Sequence, residues 1–208
     1  VTEYETQSNQ GKTRKVCWWK GKLILDSEKA NYSFGELHRV FQIAFNKIGI
    51  KNYQIQNVLI LGYGTGSVAS ILMDELELKC SITGIEKDAG VIQIGKKYFS
   101  NWFNDPLINV TEGNAADLTN LPSNSFDLIV MDVYDDIEVP LALETENHLN
   151  EVKRILKENG LYIFNKVLAT TEQKNRFKSF RLIFEKVFHL QQVVNVRGIN
   201  DVLVGRKN

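Results

Sequence analysis

Long apolar runs, paired cysteines and a surplus of charge are what this sequence lacks. No stretch of about 18 apolar residues occurs, and no charged-then-apolar segment opens the chain, so a soluble cytoplasmic protein without a membrane partner is expected. The chain opens on Val1, and its natural start is expected upstream. Cys17 and Cys80 stand far apart without a partner motif, which argues against a disulfide framework and for a reducing compartment. His38, His148 and His189 form no metal-ligand spacing with them. With 25 basic and 25 acidic residues the net charge is zero, so nothing global points to nucleic acid. Internal repeats, low-complexity tracts and long linkers are absent as well.

At 208 residues, 43% of them hydrophobic, the chain can bury the core of one compact domain with a small appendage. The charges are unevenly placed. Residues 112 to 151 hold ten Asp and Glu and no Lys or Arg, whereas residues 152 to 208 hold twelve Lys and Arg against four acids. The middle of the chain therefore carries a one-signed field that needs something cationic, polar or metallic to meet it.

Residues 14 to 25, RKVCWWKGKLIL, read as a β-hairpin turning at Lys20-Gly21, a half-buried pair with solvated lysines. From residue 57 strand-like and helix-like segments alternate. NVLIL (57 to 61), SITGI (81 to 85), INVT (108 to 111), FDLIVM (126 to 131) and LYIFN (161 to 165) read as strands. Helical spacing runs over 67–78, 88–99, about 142–157 and about 171–187. Continuous apolar strands imply a sheet covered on both faces, the parallel α/β arrangement. QQVVNV and DVLVGRK are joined only by RGIN, too short for a parallel crossover, so the last strand should be antiparallel. Residues 1–50 are expected to form the hairpin and a leading helix, and residues 51–208 the main domain.

The chemistry gathers at strand ends. LILGYGTGSVASIL places Gly62, Gly64 and Gly66 between a strand and a helix, where glycines let the backbone turn tightly against a ligand at a helix N-terminus. Gly64, Gly66 and Ala69 also satisfy G-x-G-x-x-A, which keeps an NAD(P)-dependent reductase open. Glu86, ending the next strand, is placed to accept hydrogen bonds from both hydroxyls of a ribose, and Asn114, after the third, to pair with an adenine edge. IVMDVYDDIEVP then brings four acids. Asp132 follows its strand directly, at the edge where open α/β sheets bind ligands, whereas Asp136 and Glu138 read as solvated. Tyr63, Tyr134 and Trp102 are candidate stacking aromatics, Tyr134 foremost because it lies between Asp132 and Asp135, and Trp102 reads as packing.

With these pieces placed, residues 14 to 165 resemble the spermidine synthase branch of the class I S-adenosylmethionine-dependent methyltransferase superfamily. The matching stretches are YSFGELH (32 to 38), GYGTGS (62 to 67), EKD (86 to 88), GNA (113 to 115) and DVYD (132 to 135). The resemblance implies a Rossmann-like fold with a seven-stranded, mostly parallel sheet, an antiparallel last strand and the N-terminal hairpin. It also implies S-adenosylmethionine, or its decarboxylated form, bound by Gly62, Tyr63, Gly64, Thr65, Gly66, Glu86, Lys87, Asn114, Ala115 and Asp132. Tyr32, Glu36 and Tyr134 would meet a small-molecule acceptor, an amine being one candidate, and Asp132 and Asp135 would be catalytic. Related synthases associate, so a homodimer through the hairpin edge is expected.

The departures from the family pattern order the readings. Thr65 stands where the family has an Asp that repels the carboxylate of intact S-adenosylmethionine, Phe34 stands where it has Tyr, and VRGIN replaces a long cover segment. A small-molecule methyltransferase is therefore expected first and an aminopropyltransferase, taking decarboxylated S-adenosylmethionine and a diamine, second. A non-catalytic binding module also stays open. A metal is not expected, because Asn165 is the one candidate ligand after the fifth strand.

Overall fold

A computed structural model of the chain describes residues 2–7, 13–19, 22–27, 31–34, 36–135, 138–196 and 198–208. The predicted hairpin is present as β2 (Thr13–Trp19) and β3 (Lys22–Ser27), paired antiparallel with Val16 opposite Leu25. Its turn at Lys20-Gly21 lies outside the described residues. The hairpin is the centre of a four-stranded sheet, completed by β1 (Thr2–Gln7) and β4 (Asn31–Ser33). Val16 and Leu25 are buried against Val91, Ile94 and Phe99, so the small sheet docks on the main domain through its apolar face.

The main sheet has the order β10-β11-β9-β8-β5-β6-β7. Its strands are β5 (Asn57–Leu61), β6 (Ser81–Glu86), β7 (Ile108–Glu112), β8 (Phe126–Met131), β9 (Leu156–Val167), β10 (His189–Val196) and β11 (Asn200–Arg206). The pairings among β5 to β9 are parallel, and β11 is antiparallel to both β9 and β10. The tight hairpin required by RGIN thus inserts β11 beside β9 and leaves β10 at the edge.

Alternation along the buried strands sends side chains to two cores. Val58, Ile60, Leu128, Val130 and Ile163 face one, with α1 (Glu36–Ile48) and the start of α2 (Ser67–Ser70). Leu59, Leu61, Ile129, Met131 and Phe164 face the other, with α4 (Glu146–Ile155) and α5 (Thr171–Val187). A continuous apolar strand is what a sheet covered on both faces requires. The remaining helix, α3 (Ala89–Tyr98), starts on an Asp88 cap that accepts from the N–H groups of Gly90 and Val91.

The helix expected over 67–78 is shorter and irregular. After α2 the backbone widens into a π-turn, Ile71–Glu75, whose wide ring is closed by Leu76 N–H to Ile71 O at 2.9 Å. The extra residue turns Glu75 toward α1, where it meets His38 Nε2 at 2.7 Å and accepts from Gln42 at 2.6 Å. His38 Nδ1 lies 2.8 Å from Ser67 Oγ, so the leading helix is clamped to the segment after the glycine loop.

Beneath the sheet, Tyr162, Phe164, Phe180, Phe184 and Phe188 form one aromatic cluster, with ring centroids between 4.7 Å for Phe164–Phe180 and 6.0 Å for Phe180–Phe184. Phe184 touches most of this cluster and is fully buried. Phe184→Ala should cost about 3–5 kcal/mol, read as a lower urea midpoint at unchanged m-value.

Candidate functional site

In this topology β5 lies at the point where the chain order reverses, with β6 and β7 to one side and β8 and β9 to the other. Ligands of open α/β sheets bind beyond the carboxyl ends of the strands at such a point. The segments after β5, β6 and β8 all end there, and they carry the glycine loop, Glu86 and Asp132.

The glycines meet the demands of this place. Gly62, Gly64 and Gly66 all have positive φ, at 81°, 58° and 96°. A Cβ on Gly62 would overlap the Asp132 carbonyl, so Gly62 is what lets the two loops approach. Gly66 has no room for a Cβ because the Trp102 side chain lies against it, which assigns Trp102 to packing.

Tyr63 is not available for stacking. It is 2% exposed, donates its hydroxyl to the Trp102 carbonyl at 2.5 Å, meets Phe103 edge-on and fills the space left by Gly84. Only its backbone belongs to the ligand-facing loop. Thr65 is fully buried within the loop.

Glu86 is also buried, which for a carboxylate demands partners. One oxygen accepts from Gly64 N–H at 2.9 Å and the other from Asp88 N–H at 3.0 Å. The acid is thereby locked against the glycine loop, and a carboxylate can accept more than two hydrogen bonds. Lys87, next to it, is exposed. Asn114 is exposed and accepts from Ala116 N–H through Oδ1 at 3.0 Å, an Asx turn that leaves its amide N–H₂ to donate, while Ala115 is buried. Tyr32 lies in β4 and Glu36 opens α1, and their side chains lie outside the described residues. Phe34 stacks between His38 and Phe99, at centroid distances of 5.5 and 5.2 Å.

Asp132 is anchored twice. Its N–H donates to Leu61 O at 2.8 Å, and its Oδ1 accepts from Asn165 Nδ2 at 3.0 Å. Some of its surface remains open to solvent, but the carboxyl itself is crowded by protein. Burial pushes it up to about 6 against the pull of the Asn165 hydrogen bond, and the nearby Glu86 carboxylate adds to the rise. Asn165 presents its amide nitrogen, the end that cannot ligate a metal. Among the described residues no cluster of three or more His, Cys, Asp or Glu could hold one.

Tyr134 carries its hydroxyl into the same region. That oxygen is buried and finds no hydrogen-bond partner among the described residues. Burial holds the phenol well above its ordinary value, and the Asp132 and Glu144 carboxylates add to this, so it remains a neutral donor. Asp135 is exposed, three residues on, in a short backbone bridge with Glu138. Asp136 lies outside the described residues.

The rest of the acidic stretch meets its cations here. Glu138, expected to be solvated, is half exposed but held: it accepts from Gln173 at 2.6 Å and from Arg176 at 3.2 Å. Buried Glu144 pairs with buried Lys166 and accepts from Arg176 Nε at 2.8 Å. Arg176 also donates to Val139 O at 2.5 Å. Residues 138–144 are thus pinned to the start of α5 and the end of β9. Sequence reasoning missed Lys166, Arg176 and Glu144. The signal for Lys166 was a cation inside an apolar strand; Arg176 carried none, since an Arg on an amphipathic helix reads as solvated.

This geometry matches known proteins. The model of a family described as a methyltransferase domain matches residues 59–164. The polyamine aminopropyltransferase of Prochlorococcus marinus (strain NATL2A) is 33% identical over 140 residues, which cover 64% of this chain and 46% of that protein. The chain thus spans about half the length of the curated relatives it matches. A probable spermidine synthase from Corynebacterium glutamicum ATCC 13032 shares the fold with a TM-score of 0.80 at 16% identity, over 98% of this chain and 79% of its own. Human methyltransferase-like protein 13, solved in complex with SAH, shares it at 0.67 and 22% identity, over 84% of this chain and 83% of its own. With more than half of its residues matched by that model, from the glycine-loop strand to the strand carrying Asn165, the chain belongs to the methyltransferase domain family, in a form of the fold it shares with spermidine synthases.

Proposed function

We propose that the chain is an aminopropyltransferase, which takes decarboxylated S-adenosylmethionine and an alkyl amine and moves the aminopropyl group to the amine nitrogen. The observation that carries this reading is Asp132, a crowded carboxylate at the end of β8, oriented by Asn165 and facing Glu86 across the crevice. The polyamine aminopropyltransferase that matches at 33% identity supports an amine acceptor. Both support aminopropyl transfer over methyl transfer, the reverse of the order expected from Thr65.

The residues present fit an adenosyl cofactor. Gly62, Gly64 and Gly66 keep the loop low, Glu86 has lone pairs for a ribose, the amide of Asn114 can donate to a base, and the buried Tyr134 hydroxyl lacks an acceptor. When bound, the cofactor supplies a carbon made electrophilic by the neighbouring sulfonium.

The protein's own part is positioning and proton handling. Alkylammonium groups lose their proton only near about pH 10.4 and have no lone pair until they do, so the amine needs a neighbouring group that takes its proton before it can attack. Asp132 takes that proton on the oxygen that Asn165 does not hold. Exposed Asp135 meets the remote cationic end of the acceptor, and Tyr134 lines the passage between them.

A second reading, methyl transfer from intact S-adenosylmethionine, is favoured by one observation. The loop position that would repel a cofactor carboxylate holds Thr65, a neutral residue. The same proposal includes a homodimer, with the edge of the N-terminal sheet as contact, and a cytoplasmic location, which suits two free cysteines. No helix among the described residues is long and apolar enough to cross a membrane.

Calorimetry with both cofactor forms separates the two readings: tighter binding of the decarboxylated form is expected, and tighter binding of the intact form would reverse the order. Asp132→Asn should lower kcat with an amine acceptor by about a hundredfold or more. In the wild type kcat/KM should rise with pH through about 6, because only the ionised carboxylate accepts a proton. Stability should run the other way. Asp132 resists ionisation when folded, so its contribution is complete below about pH 4 and lost as pH rises through about 6. Asp132→Asn should therefore stabilise the fold at pH 8 by on the order of 1–2 kcal/mol, read as a higher melting temperature, and change it little at pH 4.

A further inference from the structure

The relay behind Asp132 does not stop at Asn165. Asn165 Oδ1 accepts from Asn200 Nδ2 at 3.0 Å, and both asparagines are buried, at 0% and 4% exposure. Asn165 sits near the end of β9 and Asn200 at the first position of β11, just past the short connection that replaces the long cover segment of the spermidine synthase pattern.

We propose that Asn200 is a positioning residue for Asp132, acting through Asn165 to fix which way the amide chain points. This inference rests on the reading of Asp132 as the proton acceptor.

Donor and acceptor counts fix the direction of the chain of amides. An ionised carboxylate can only accept, so Asn165 must offer it an N–H. The carbonyl of Asn165 then faces away, toward Asn200, and Asn200 must answer with its own N–H. The chain Asn200→Asn165→Asp132 is satisfied at every link in this direction alone while Asp132 is ionised. A protonated Asp132 can donate, and only then can the Asn165 amide turn over. The relay therefore favours the ionised acid and fixes Oδ1 as its occupied oxygen, leaving Oδ2 for the acceptor.

The other groups around Asp132 do not do this. Glu86, from β6, opposes ionisation through its own charge. Tyr134, from the same loop, makes no hydrogen bond within the described residues. Leu61, from β5, receives the backbone N–H of Asp132. Lys166, next to Asn165, is turned to Glu144.

The test is the titration of the Asp132 carboxyl, followed by carbon-13 NMR in the full chain and assigned with Asp132→Asn. Asn200→Asp places an acceptor where the relay needs a donor, so it should turn the Asn165 amide over and raise the Asp132 midpoint by about one pH unit. Asn200→Ala leaves Asn165 free to keep donating and should raise it by less. The added charge of Asn200→Asp is controlled by repeating it with Asn165→Ala, where most of the rise should vanish. An unmoved midpoint in Asn200→Asp, or an equal rise with Asn165→Ala, would overturn the inference. Thermal melts of each variant confirm that the titrated chain is folded. The acid limb of kcat/KM should move with the midpoint. If the midpoint moves as expected while neither cofactor form supports transfer to an amine, the relay stands and the proposed function fails.

Discussion

A carboxylate that accepts and cannot donate, set at the carboxyl end of a buried parallel strand, constrains everything around it. Asp132 must be reached by donors from its neighbours, and Asn165 supplies one from the adjacent strand. Its own backbone carbonyl is approached closely by the glycine loop, and only a residue without a Cβ allows that at position 62. Burial lifts its proton affinity into the range where an acid can serve as a base near neutrality. Removing the charge would relieve the fold and disable the proposed chemistry, the usual conflict between stability and activity at a working site.

The acidic stretch around it divides by setting. Asp132 lies beside Glu86, Glu138 and Glu144 are held by Gln173, Arg176 and Lys166, and Asp135 is exposed in its bridge with Glu138. A buried ion pair such as Lys166–Glu144 is weak evidence of stability, since desolvation offsets most of the attraction. What the pair and Arg176 do supply is direction: three elements distant in sequence fix the path of residues 138–144. Part of the acidic charge of residues 112–151 is thus met by cations from the basic remainder of the chain, at Asp127–Lys157, Glu138–Arg176 and Glu144–Lys166.

The main domain was legible because periodicity reports burial. Residues 58–61 and 128–131 are continuous apolar runs, and each is the part of a strand buried on both faces. The antiparallel end followed from the length of one loop. Glu86, Asp132 and the glycines were legible because strand ends are where such residues matter. The N-terminal hairpin was visible but not the four-stranded sheet around it, since TEYETQ and NYS carry no apolar alternation. Tyr63 looked like a ligand-facing aromatic because a loop position does not say which way a ring turns, and the gap at Gly84 that draws it inward lies more than twenty residues away. The π-turn at Ile71–Glu75 was hidden because its residues keep helical spacing, and the His38 that meets Glu75 comes from another helix. The Asn165–Asn200 pair spans 35 residues and two strands, and nothing local to either distinguishes it from a turn residue.

The central claim is that an amine acceptor is held at Asp132 beside an adenosyl group held at Glu86. A crystal structure with 5′-methylthioadenosine, the thioether left after aminopropyl transfer, and an alkyl diamine tests it most directly. Both ribose hydroxyls are expected on Glu86 and one amine nitrogen about 2.6–3.2 Å from Oδ2 of Asp132, with Oδ1 still on Asn165. A diamine seated elsewhere, or an adenosyl group bound away from Glu86, would contradict it.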